Sequence, residues 1–199
     1  MSSTTLADAA AGTADVSAPL EEEVATTGVA TPGIPRNPVV MVALVGLPVL
    51  AFAVLGFGAH AFITAFTAAV LVALAAIDIE HRVLPNRIVV PAAAIVLVAQ
   101  VAFFPDRALE WVLAGVAAAA FLGLPLIIRR DAMGMGDIKL AVLLGVATGW
   151  GVFGAIVIGC LAMFPVALWM LYRNGSIRNA TLPFGPFLAF GTLIVLFTS

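Results

Sequence analysis

From residue 38 onward, windows without a single charged side chain alternate with short charged loops. The windows are 38–77, 88–105, 111–128, 140–172 and 179–199. A membrane-spanning helix needs about 20 mostly apolar residues, so the 40 residues of 38–77 are too many for one span, and the GFGAH stretch at 56–60 offers the turn between two. The 33 residues of 140–172 divide most naturally at Gly149-Trp150-Gly151. The pattern therefore predicts seven helices, over 38–56, 60–78, 88–105, 108–128, 137–149, 151–172 and 183–198, with the fifth short. That is an all-α, polytopic membrane bundle. Small residues suit close helix approach in lipid, which is the role expected of Gly115, Gly123, Gly145, Gly149, Gly154 and Gly159. Pro48, Pro91, Pro125 and Pro165 fall inside predicted helices and are expected to kink them.

Composition agrees with the pattern and adds a boundary. The chain of 199 residues is 63% hydrophobic and 10% charged, whereas about a quarter of an ordinary soluble domain is charged. Five of the 11 acids (Asp8, Asp15, Glu21, Glu22, Glu23) precede the first base, Arg36, so the remaining chain carries 9 bases against 6 acids (11 − 5). Residues 1–35, rich in Ala, Thr, Ser, Gly and Pro, have neither the basic region nor the apolar block of a signal peptide. They are expected to form a disordered acidic tail, with 36–199 the transmembrane domain. No basic run or stripe could neutralise several phosphates, so nucleic acid is not an expected partner. The partner expected throughout is the lipid bilayer.

Bases in short loops stay on the cytoplasmic side of a membrane. Arg36, then Arg82 and Arg87, then Arg129, Arg130 and Lys139, then Arg173 and Arg178 fall on one side of a seven-helix topology, and only Arg107 falls on the other. This orients the N-terminus to the cytoplasm and the C-terminus outside.

Four of the six body acids (Asp78, Glu80, Asp131, Asp137) occupy the two cytoplasmic loops between helices 2 and 3 and between helices 4 and 5. Asp78 directly follows the apolar run LVALAAI, and Asp137 shortly precedes another. An ionisable group at such a boundary is costly and is a functional candidate, although helix-end carboxylates also simply mark where a helix meets water. Two carboxylates held close together share one proton, so that one activates water as a base while the other donates to the scissile carbonyl. Glu80 and Asp131 lie farther into polar loops beside Arg82 and Arg130, where solvated ion pairing accounts for them. His60 and His81 have no partners at ligand spacing, and the single Cys160 can form neither an intrachain disulfide nor a cysteine cluster; no metal and no cofactor is expected. Lys139, two positions from Asp137, is expected to point away from it and anchor the interface, and Met135 to serve as apolar filler.

Three blocks recur in a fixed order: Asp78 through Leu84-Pro85-Asn86, then Gly134-Met135-Gly136-Asp137-Ile138-Lys139, then Leu182-Pro183-Phe184-Gly185-Pro186. Together they resemble the type IV prepilin peptidases, membrane aspartic peptidases of the GxGD kind. The resemblance implies a catalytic pair, Asp78 and Asp137, with Gly134 and Gly136 shaping the place of the substrate. It implies as substrate a prepilin or pseudopilin carrying a short basic leader, cut at the cytoplasmic face of a bacterial inner membrane. Longer members of that family carry a cytoplasmic insertion with paired CxxC motifs that accompanies N-methylation. With its one cysteine, this chain is similar to the short, peptidase-only forms of Flp/Tad pilus systems, without a methyltransferase. The alternative from another class is a proton-coupled transporter or channel relaying protons through Asp78 and Asp137, but midplane carboxylates and an internal repeat, which such a protein more often has, are not evident.

Overall fold

The computed structural model describes residues 37–128, 134–174 and 183–198; the 1–35 tail and Asp131 lie outside these. Among the described residues seven α-helices follow one another: α1 (Pro38–Leu55), α2 (Ala59–His81), α3 (Asn86–Phe103), α4 (Ala108–Ile128), α5 (Met135–Thr148), α6 (Val152–Asn174) and α7 (Gly185–Thr198). No strand occurs among the described residues. Single 3-10 turns at Pro105–Arg107 and Gly149–Gly151 join α3 to α4 and α5 to α6. Both long apolar windows break where glycines permit it. Gly56 ends α1 at φ 74°, and Gly149 ends α5 at φ 58°, a conformation that L side chains rarely adopt. At Gly149 a Cβ would also stand 2.7 Å from Glu110 Oε1 and 3.0 Å from Trp111 of α4, so this glycine serves both the turn and the close interhelical approach expected of it.

The helices are apolar enough to live in lipid. Pro38–Leu55, Ala59–His81, Asn86–Phe103 and Pro105–Pro125 could each cross a bilayer by length and composition, as could the stretch Met135–Arg173 taken whole. Large side chains are exposed along them, among them Val42, Val45, Phe62, Val98, Val116, Leu161 and Trp169. In water such a surface would be an aggregation site; against acyl chains it is the solvated face. The chain is thus a polytopic membrane bundle.

α2 and α5 occupy its centre. Leu71 and Leu74 of α2, Leu140, Leu143 and Leu144 of α5, Val89 and Val96 of α3 and Leu188 of α7 belong to one buried core. α1 lies outside, leaning mainly on α2 with Ala51 its one buried residue, which matches a six-helix core plus one N-terminal helix. Glycine sets the closest approaches. A Cβ on Gly145 of α5 would stand 2.6 Å from Ala114 O and Gly115 Cα of α4, and one on Gly159 of α6 would stand 2.8 Å from Phe187 O of α7. Gly191 of α7 likewise faces the Ala155 carbonyl of α6. Gly123 and Gly154, expected to act the same way, have no neighbour nearer than 3.8 Å and 4.0 Å. The four prolines stand inside continuous helices.

One consequence is measurable. Gly145→Val should force α4 and α5 apart at a cost of about 1–3 kcal/mol, lowering the thermal midpoint of the detergent-solubilised protein, whereas Gly154→Ala should leave it alone. An unchanged midpoint for Gly145→Val would refute the contact.

Candidate active site

The predicted ends of two helices need correction. α2 does not stop at Asp78 but continues through Glu80 to His81, and α5 starts at Met135 rather than 137. Hydropathy ends at Asp78, whereas main-chain hydrogen bonding does not, so the helix runs on until Arg82 turns left-handed, at φ 53°. The Arg82 N–H then donates to the Asp78 carbonyl at 2.9 Å. For a non-glycine residue that conformation costs about 1–2 kcal/mol, and it lies on the wall of the site. Asp78 consequently sits one turn inside α2, with only 6% of its surface exposed. Asp137 is the third residue of α5, where its N–H donates to the Gly134 carbonyl at 3.1 Å.

Both carboxylates open into one cavity of about 270 Å³, lined by Asp78, Arg82, Val83, Leu84, Asn86, Gly134, Met135, Gly136 and Asp137. All four residues singled out in the sequence for the site therefore converge from α2 and from the start of α5, across some sixty positions of chain. Glu80 is exposed and is not part of the lining.

The remaining structure of the site comes from tertiary contacts. Gly185, first residue of α7, donates its N–H to Asp78 Oδ2 at 3.0 Å, giving the buried acceptor the partner it requires. A Cβ on Gly185 would stand 2.7 Å from the same oxygen, so only glycine lets the main chain come this close. Gly136 solves a similar problem: its Cβ would stand 2.8 Å from Leu84 Cβ, in the Leu-Pro-Asn turn after α2. Lys139 Nζ donates to Asn86 Oδ1 at 2.9 Å, tying that turn to α5 from the other side. Lys139, expected as an interfacial anchor, ends on a partner in the first sequence block. Met135, expected as filler, is exposed on the cavity wall. The three blocks thus meet pairwise: the first with the second through Leu84–Gly136 and Asn86–Lys139, and the first with the third through Asp78–Gly185.

Comparison with known proteins points the same way. The type IV leader peptidase family matches residues 65–171, which contain Asp78 and Asp137 but stop before Gly185. A prepilin leader peptidase/N-methyltransferase of Xanthomonas campestris pv. campestris is 30% identical over 152 residues, covering 71% of this chain and 52% of that protein. Proteins of the same description from Stutzerimonas stutzeri and Pseudomonas aeruginosa are 30% identical over 134 and 132 residues, each covering 63% of this chain and 46% of theirs. The chain spans about half the length of the curated relatives it matches. No solved structure matches it significantly. With the family match extending over more than half of its residues and both carboxylates inside the matched region, the chain belongs to the type IV leader peptidase family.

Proposed function

We propose that this chain is a membrane aspartic endopeptidase that removes the short basic leader of prepilin-like precursors. The observation that carries the reading is the meeting of Asp78 and Asp137 in one cavity at the same end of the bundle. Membership of the family and the descriptions of its relatives support the same substrate class. The charge distribution supports a cytoplasmic site in a bacterial inner membrane, with the N-terminus inside.

The chemistry follows from the pair. With one carboxylate ionised and its neighbour protonated, the base takes a proton from water as the water oxygen bonds to the scissile carbonyl carbon, and the acid gives its proton to the carbonyl oxygen. The tetrahedral intermediate collapses by breaking the C–N bond, with a proton passing to the departing amine. Gly134 borders the cavity beside Asp137, where an extended substrate segment can lie, whereas the side-chain space at Gly136 is filled by Leu84. Rate against pH should be bell-shaped: acid protonates the base and alkali ionises the acid, and either change disables the pair. A proton relay for transport would need the carboxylates on a path between the two sides, whereas both lie at one end.

A direct test is to incubate purified protein with a precursor bearing a basic leader and an apolar helix and to follow release of the leader. Glu80→Gln should retain most of the rate, because its side chain is exposed outside the cavity; loss comparable to that of a catalytic variant would move the dyad. The reading covers hydrolysis by this chain and not the methyl transfer in its relatives' names. Product made by this chain alone should keep an unmodified N-terminal amine on intact-mass measurement, and a methyl increment dependent on this chain would contradict that.

A further inference from the structure

A second concavity shares no lining residue with the catalytic cavity. α4 and α6 touch little, and between them two contiguous apolar hollows of about 390 and 360 Å³ open toward the lipid, sharing Phe121, Ile156 and Cys160. At one limit of this cleft stands Phe184, whose neighbour Gly185 holds Asp78. At the other, Phe121 and Phe153 meet edge to face at 5.8 Å.

Both walls pass the level of the catalytic carboxylates. On α4, a Cβ at Gly123 would touch Ile138, next to Asp137, at 3.8 Å. On α6, Gly159 packs on Phe187, two residues after Gly185. From Gly159 to Phe153 the cleft runs six residues, or about 9 Å at the helical rise, and in the other direction its α6 wall continues through Leu161 to Phe164.

We infer that this cleft receives the first turns of the substrate's apolar helix, immediately beyond the bond that is cut. The inference rests on the peptidase reading. Its occupant is fixed by continuity: a segment with its scissile bond at Asp78 and Asp137 must leave the cavity as an apolar helix, and the cleft leads from Phe184 away from the site into the membrane. Within lipid, two helices gain nothing from the hydrophobic effect and associate through close packing. A cleft bounded by the rings of Phe121, Phe153, Phe164 and Phe184 offers rigid, shaped surface for that purpose, on the principle of a helix laid in a groove.

The chain's only cysteine, Cys160, lines the cleft and is exposed, so the full-length protein carries its own probe. The test uses the Asp137→Asn variant in liposomes and synthetic precursors with a lysine-containing leader, glycine at the cut and an apolar helix bearing one cysteine. A short bis-maleimide should join Cys160 to cysteines in the first two to three turns of that helix, with helical periodicity. The yield should exceed by at least about tenfold that from Val42→Cys, an exposed position on α1, tested in a Cys160→Ala background. Val157→Trp, filling the cleft with the dyad intact, should raise KM by about tenfold and change kcat little. Absence of cross-links from Cys160, or equal yield from position 42, while wild-type protein cuts the same precursors, would overturn the docking proposal alone and leave the cleft to lipid. Precursors neither cut by wild type nor cross-linked would overturn both this proposal and the peptidase reading.

Discussion

Replacing Asp78 or Asp137 by Asn is expected to lower leader cleavage by about 10²–10⁴-fold, the contribution of one general acid–base group. Asn keeps the size of the side chain, and at position 78 it still offers an oxygen to the Gly185 N–H, so neither variant should lose the bundle. What each loses is the capacity to take or give a proton. Because the two carboxylates act as a unit, the double variant should be little worse than either single one. Initial rates on a leader-bearing precursor, normalised to protein in the membrane fraction, decide the matter. A single variant working at the wild-type rate would remove its residue from the mechanism.

Gly185→Ala should have the next largest effect although it removes no reacting atom. The added Cβ would stand 2.7 Å from Asp78 Oδ2, whereas ordinary contact begins at 3.4 Å, so carboxylate and main chain must part by about 0.7 Å (3.4 − 2.7). A misplacement of that order costs roughly ten- to a hundredfold in rate, and the hydrogen bond that fixes the Asp78 rotamer weakens with it. The loss should appear in kcat, with KM near the wild-type value, since the substrate's own contacts are untouched. Gly154→Ala, whose new methyl meets nothing nearer than 4.0 Å, is the matched control. Equal rates for the two alanine variants would show that the Gly185 contact does not position the dyad.

Much of this was legible before any coordinates. Seven helices follow from window length and from two glycine-marked breaks, because a bilayer imposes one length and one secondary structure on every span. Helix ends were less legible. Hydropathy stops at Asp78 while the helix continues through Ile79, Glu80 and His81, so a residue placed at a helix end turned out to be buried one turn inside it. Asp78 and Asp137 could be read because ionisable groups are rare and costly beside apolar runs. Gly185 could not be read as a partner of Asp78, since main-chain donors look alike in a sequence and this contact joins residues 107 positions apart. Lys139 was readable only as a surface anchor for the same reason: Asn86, its partner, is 53 positions away. Among the glycines, composition could not separate Gly145 and Gly159, which meet a neighbouring backbone, from Gly123 and Gly154, which do not.

In the proposed chemistry two carboxylates of this chain hydrolyse a leader peptide without help from a metal. The most direct measurement is the intact mass of a synthetic prepilin-like precursor after incubation with the purified full chain in liposomes, with and without excess EDTA. One cut between the basic leader and the apolar helix is expected, at the same rate in both samples. A precursor left at its starting mass, or cleavage abolished by EDTA and restored by added zinc, would contradict it.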